Sequence, residues 1–479
     1  MRRPTSGDRY RPHVGAAAAW GRRETCLGLL ALAVVVALSW APSVGAPLGD
    51  NHEGRVDARF VLQVANLRDD GISASGWGSS MAPYAGNYAH HPPGPNVVQL
   101  ATSFLPGSPE LEVRVFPYAM GLLTLAAAAW LLRVVGSSWA ATTAGVVVLV
   151  TTPMFWTYGR LLWDVPLLFA TPAAILSLSS ESSRARVLVT SGLVAVTMTM
   201  SWVAGATSLA FIAVAAWRRR ADGFRHPAAL LAGAILGIAA TGAWILAATD
   251  AQALADQVAE RTAGDDFTLG SYVSRQLTWA RDLYPPWLLV LVPVGIWRST
   301  SPLARWAIAA SGAVGLAFVV ALPNGSFIHD YWSYPLLVTA TVASAQALEL
   351  IARNRPRALG LASVAVGCAV VLALGFGPQG DSRFEAPEDA GRLAKRVQPA
   401  DGQSIAWTSN GVQTARWLSV YWDLPARVLD RSTGDRANDT DLVLVGLPLP
   451  PELEGTVPVA VEGEYAVVSV ADLRDVLGT

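Results

Sequence analysis

Charge is what this chain is short of. Only 15% of its 479 residues are Asp, Glu, Lys or Arg, against roughly a quarter in an ordinary soluble domain. The 35 basic and 36 acidic residues nearly cancel, to a formal net charge of -1, so no global basic field exists to hold a nucleic acid and none is expected as a partner. Cysteine is scarcer still. Cys26 and Cys368 both lie in apolar runs, which excludes a disulfide framework and a cysteine metal site.

Apolar residues are what the chain has instead, at 52%. Runs long enough to cross a bilayer fall at 26–44, 113–133, 139–157, 162–179, 227–248, 284–298, 302–322, 330–351 and 357–376, since roughly 20 residues of helix span the hydrocarbon. The run 187–217 is too long for one helix and predicts two short ones meeting between Ser201 and Gly205. The expected fold class is an all-α polytopic membrane protein of about 11 transmembrane helices. Arginines before the first run would suit a cleaved signal, but its length and the spans that follow favour a retained helix.

Orientation follows from arginine. Arg2, Arg3, Arg22 and Arg23 precede the first span, and Arg133, Arg184 and Arg186, Arg218 to Arg220 with Arg225, Arg298 with Arg305, and Arg353, Arg355 and Arg357 occupy every second connection after it. Those connections belong on the cytoplasmic side. This places the protein in the inner (plasma) membrane as a multi-pass protein, with its N-terminus inside and its C-terminus outside.

Two regions result: a transmembrane domain, 1–376, with a large outer loop 45–112, and an extracytoplasmic α/β domain, 377–479. In the tail, 441–445 and 465–470 have strand character and 387–397 and 413–422 helical character. It carries no GxGxxG after a strand, no GK[ST] and no HExxH, so no chemistry is assigned to it. Helical spacing of Phe60, Val61, Val64 and Leu67 predicts a short helix lying on the membrane surface, and a second is expected over 250–262 with Leu254 and Val258 on its apolar face.

Polar chemistry concentrates in the outer connections. Asp50, Glu53 and Asp57 stand just outside the first span, where a carboxylate can take a proton from an acceptor hydroxyl; a solvated, topology-fixing loop is the plainer account. His90-His91-Pro92-Pro93 forms a stiff strap suited to presenting donors to an anion. A structural proline turn, or a divalent metal held by the histidines with Asp50 or Glu53, are its alternatives, the metal unsupported by any second spacing. Arg114, Arg160 and Asp164 sit at the outer ends of spans, where ionisable groups mark a functional or paired site or arginines snorkel to headgroups. His329, Asp330, Tyr331 and Trp332 occupy the outer mouth of a late span, a position an interfacial aromatic belt also explains.

Taken in order, these pieces resemble the GT-C membrane glycosyltransferases of the protein O-mannosyltransferase and lipid A aminoarabinose transferase superfamily, over roughly 25 to 350. The resemblance runs through Asp57-Ala58-Arg59-Phe60, His90-His91-Pro92-Pro93, Arg114, Trp163-Asp164-Val165-Pro166 and His329-Asp330-Tyr331-Trp332. It implies an inverting transfer from a polyprenyl-phosphate sugar to a glycan, lipid or protein acceptor, without a cofactor. Asp50, Glu53, Asp57 and Asp164 are then the catalytic candidates; His90, His91, Arg114, Arg160, His329 and Tyr331 hold donor phosphate and substrate. The chain departs from the family at its first motif, where the catalytic Asp position falls on Val56. A helix starting at Asp57 would make that residue a cap and leave Glu53 the better base; a continuous helix would put both on one face. Competing expectations are a transporter or lipid flippase and a non-catalytic envelope assembly protein.

Overall fold

A computed structural model describes residues 20–49, 52–83, 85–88, 91–178, 183–222, 226–248, 251–263, 267–376, 382–397, 405–407, 416–422, 426–428, 442–446, 458–462 and 465–469. The chain runs through α1 (Arg22–Val44), α2 (His52–Asp69), α3 (Gly71–Ala74), a short hairpin of β1 (Ser80–Met81) and β2 (Ala85–Asn87), and α4 (Gly94–Thr102). Then come α5 (Pro109–Val134), α6 (Trp139–Val150), α7 (Pro153–Tyr158), α8 (Val165–Ser177), α9 (Arg184–Met200), α10 (Trp202–Asp222) and α11 (Pro227–Ala248). Two polar helices, α12 (Ala251–Thr262) and α13 (Leu269–Leu283), lead to α14 (Leu288–Arg298), α15 (Pro302–Ala321), α16 (Pro323–Ile328), a 3-10 turn Asp330–Ser333, α17 (Leu336–Asn354) and α18 (Pro356–Phe376).

Each apolar run contains a helix, except that 139–157, expected as one span, divides into α6 and the short α7; among the described residues six helices, α1, α5, α11, α15, α17 and α18, are long and apolar enough to cross a membrane. Local chemistry sets their starts. Proline opens α5, α11, α15 and α18, where its missing N–H is no loss, and Ser138, Ser183 and Ser301 cap α6, α9 and α15 by accepting a backbone N–H. The long run 187–217 breaks at Ser201, whose backbone is extended (φ −159°, ψ 133°). Its hydroxyl accepts from Val203 N and Ala204 N to start α10.

The bundle's core is centred on Trp40, Phe155, Phe169 and Phe211, all fully buried, with α5 packed on α8, α9 on α11, α14 on α17 and α1 on α18. Its two ends differ. At one, Trp20 donates to Thr25 and Thr143 beside Trp139 and Ala352; at the other gather α2, the start of α5, the α7–α8 turn, α12, α16 and the 3-10 turn.

The surface-helix expectation for 57–67 needs correcting. α2 exists and is longer, but Phe60, Val64 and Leu67 are buried against α4 and α5, so protein and not lipid covers them. Along α12, Leu254 packs beneath Trp244 while Val258 is exposed.

Beyond α18, α19 (Ser382–Arg396) and α20 (Arg416–Trp422) accompany a five-stranded sheet of order β4-β3-β5-β7-β6. Here β3 (Ile405–Trp407) runs parallel to β4 (Ala426–Val428) and β5 (Leu442–Gly446). Antiparallel pairs join β5 to β7 (Tyr465–Ser469) and β7 to β6 (Ala460–Glu462). Leu48, just after α1, and Ala58 of α2 are part of this unit's core, with Leu393, Leu418, Leu444 and Val467.

Candidate active site

The helix α2 begins at His52, so Glu53 and Asp57 share one face and neither caps the helix. The same 100° step per residue puts Arg55 and Arg59 on the opposite side. The helix is thus acidic on one flank and basic on the other.

The acidic flank meets two arginines. Arg114, one turn into α5, donates from Nε to Asp57 Oδ2 at 2.7 Å and lies 3.8 Å from Glu53 Oε1. Its Nη1 reaches the carbonyls of Ser43, at 2.8 Å, and Ala46. Arg160, in the α7–α8 turn, donates to Glu53 Oε2 at 3.1 Å and to Ser43 Oγ at 2.7 Å, while Tyr118 Oη donates to Glu53 Oε1 at 3.3 Å. Asp57 is only 3% exposed. Burial drives its carboxyl up to about 6; Arg114 opposes this rise and Glu53 adds to it.

The basic flank faces a ring of aromatics. Arg59 is buried with its guanidinium 4.9 Å from the Tyr88 ring centre and 4.4 Å from that of Phe60, and its charge, like that of Arg261, is felt at Tyr331. Tyr331 stands 5.2 Å from His329 and 5.4 Å from Tyr158, whose hydroxyl donates to Asp330. Burial, then Arg261 and Arg55, hold the His329 imidazole down at about 4, so it is neutral at pH 7.

The candidates from sequence divide accordingly. Glu53, Asp57, Arg114 and Arg160 come together in one buried cluster; His329 and Tyr331 meet on the other flank of α2. Asp164 does neither. It accepts from Ser201 and Tyr334 hydroxyls and so ties the α9–α10 break to the start of α17 instead of pairing with an arginine. His91 is exposed and stacks near Tyr88 at 5.9 Å, while Asp50 and His90 lie outside the described residues. The preference for Glu53 as the freer carboxylate fails, because a helix already continuous from His52 leaves Glu53 clamped by Arg160 and Tyr118. Among the described residues no three His, Cys, Asp or Glu side chains gather to hold a metal.

Sequence reasoning overlooked Arg55, Arg261 and Tyr118, and quoted Arg59 without a role. A signal existed for two of them: Arg55 and Arg59 repeat at four residues, interleaved with Glu53 and Asp57. Arg261 and Tyr118 had none, since only folding brings them to α2.

A cavity of about 180 Å³ adjoins the acidic face further along α2, lined by Phe60, Val61, Val64, Gln99, Glu112 and Val113 among others. Gln99 is 2% exposed and its Oε1 has no partner among the described residues, an acceptor left open for a hydroxyl or amine.

No protein-family model matches the sequence and no curated protein is similar to it. Solved structures are. ArnT from Cupriavidus metallidurans in the apo state superposes with a TM-score of 0.62 at 14% identity, over 94% of this chain and 99% of that one. The same protein bound to undecaprenyl phosphate gives 0.57 at 14% identity, over 95% and 99%. An oligosaccharyltransferase of Archaeoglobus fulgidus, crystallised with Zn and sulfate, gives 0.51 at 12% identity over 84% of this chain and 62% of that one. The chain therefore has the fold of these solved structures, a polytopic helical membrane domain joined to a small sheet.

Proposed function

We propose that the chain is a membrane glycosyltransferase that moves a sugar from a polyprenyl-phosphate donor to an acceptor hydroxyl outside the cytoplasm. The observation that carries this reading is the two-sided helix α2, with a buried carboxylate pair on one flank and arginines among aromatics on the other. ArnT, similar in fold, binds undecaprenyl phosphate. The clustered ionisable groups stand at one end of the bundle, not in broken helices halfway along it, which sets the chain apart from a transporter.

In this reading Arg55, Arg59 and Arg261 take the donor phosphate, as planar forks suited to its oxygens, and neutral His329 and Tyr331 line the same side. The acceptor oxygen attacks the anomeric carbon, the bond from that carbon to phosphate oxygen breaks with inversion, and polyprenyl phosphate departs. The hydroxyl proton passes to Asp57. A carboxyl poised near 6 suits a base working near neutral pH, and Glu53 holds Arg160 beside it. The arginine-rich connections support a cytoplasmic N-terminus, with the sheet domain outside.

The test uses the full chain in lipid nanodiscs, with undecaprenyl phosphate as the probe and native mass spectrometry as the readout. Binding should be lost in Arg59→Met and kept in Glu53→Gln and Asp57→Asn, while those two variants lose release of undecaprenyl phosphate from radiolabelled undecaprenyl-phosphate sugars. Binding that ignores Arg59, or release that survives Asp57→Asn, overturns the assignment.

A further inference from the structure

The chain has a single lysine, Lys395, and its ammonium is spent on a carboxylate in another part of the fold. Lys395 Nζ lies 2.6 Å from Oε1 of Glu110, a fully buried residue in the first turn of α5. The Tyr421 hydroxyl of α20 donates to the same oxygen at 2.6 Å and accepts the backbone N–H of Leu48. Burial, and then the Glu110 charge, push the Tyr421 phenol up, so it stays protonated and can donate.

These contacts close a ring around the acidic cluster. Glu110 lies one turn before Arg114 on α5, and Arg114 is held by the carbonyls of Ser43 and Ala46, in a second strap, residues 43–48 at the end of α1, whose Leu48 N–H the Tyr421 hydroxyl accepts. Leu48 and Ala58, the residue after Asp57, both pack into the core of the sheet domain. A Cβ on Gly391 would come within 2.1 Å of the Leu48 carbonyl oxygen, so α19 is pressed against the same strap.

We propose that the sheet domain positions the Asp57–Arg114 pair, with Tyr421, Glu110 and Lys395 as positioning residues that fix the strap and the first turn of α5 around the Arg114 guanidinium. None of the three touches Asp57. They act through Arg114, whose placement decides how strongly its charge bears on the carboxyl. The groups facing Asp57 are Arg114 from α5, Glu53 from its own helix and Arg160 from the α7–α8 turn. Opening the latch loosens the first while leaving the other two. The inference rests on the geometry of the pair and stands whether or not the pair transfers sugar.

The experiment reads latch and site separately in the full chain in nanodiscs. Acetylation of Lys395 by an amine-reactive ester, followed by peptide mass spectrometry, reports the latch. Modification of Asp57 by dicyclohexylcarbodiimide, which attacks protonated buried carboxyls, reports the site through the pH of half-maximal labelling. In wild type the Lys395 side chain is 39% exposed but its ammonium is paired with Glu110, so acetylation should be slow rather than absent, and Asp57 should label with a midpoint near 6. Tyr421→Phe should speed Lys395 acetylation several-fold over wild type and move the Asp57 midpoint up by roughly half to one pH unit, as a counter-charge is loosened. If Tyr421→Phe does not fold, Glu110→Gln keeps the shape and an oxygen for Tyr421, and the same two readings apply. Faster Lys395 acetylation with an unmoved Asp57 midpoint would reduce the latch to a mere anchor, and a Lys395 that reacts as fast in wild type as in the variants would refute it outright.

Discussion

Replacing Asp57 with Asn should abolish a pH dependence of stability that runs against the usual carboxylate pattern. In the folded chain the Asp57 carboxyl stands near 6, against an ordinary value of 3.8, because burial outweighs the pull of Arg114. A group raised in this way favours the folded state when protonated, so its contribution is complete below about pH 4 and is lost as pH rises through about 6. The rise of about two units corresponds to about 3 kcal/mol, with no solvent screening to discount at a fully buried site. Asn cannot titrate, so the variant lacks this slope. The assay is SDS-driven unfolding in mixed micelles between pH 4 and 7, followed through the fluorescence of the chain's 18 tryptophans. Wild-type stability minus variant stability should fall by about 3 kcal/mol across that interval. A difference that stays flat, or rises with pH, would mean that Arg114 wins over burial and that Asp57 is an ordinary ion-paired carboxylate, unfit for the role of a base poised near neutrality.

Two further outcomes are expected. Arg114→Lys keeps the charge but replaces a fork that serves Asp57, Ser43 O and Ala46 O with one point donor. Unfolding in mixed micelles should show a loss of roughly 2–4 kcal/mol, and an unchanged midpoint would return Arg114 to a headgroup-seeking role. Asp164→Ala strands the Ser201 and Tyr334 hydroxyls and should lower stability by roughly 2–4 kcal/mol while the folded fraction binds undecaprenyl phosphate and turns over as wild type does. Normal stability with lost turnover would instead put Asp164 in the chemistry.

How much of this was legible in the sequence depends on the distance over which the cause acts. The helices were, including the break at Ser201, because apolar run length and a serine able to cap the next helix are local properties. So were the strands at 441–445 and 465–470, found at Leu442–Gly446 and Tyr465–Ser469. The membership of Glu53, Asp57, Arg114 and Arg160 in one group was readable as a set of charges at the same end of the spans. Their pairing was not, since Arg114 lies 57 residues from Asp57 in the chain and either arginine matched either carboxylate.

Asp164 shows the limit most sharply. Its rank in the motif order made it a catalytic candidate, yet the hydroxyls of Ser201, at the α9–α10 break, and Tyr334, just before α17, both donate to its Oδ2, and no local pattern announces a partner 170 residues away. The latch is a similar case: a lone lysine and a glutamate after a proline are unremarkable until the sheet domain sits on the strap. What the sequence by itself determined is the membrane character of the chain, its helices and the two-sided charge pattern of α2, because hydrophobicity and the 100° helical step act within a segment. Which carboxylate met which arginine, which flank of α2 faced the aromatics and what closed over Arg114 were decided only by tertiary structure, because a buried charge is placed by whatever partner packing brings within hydrogen-bond reach.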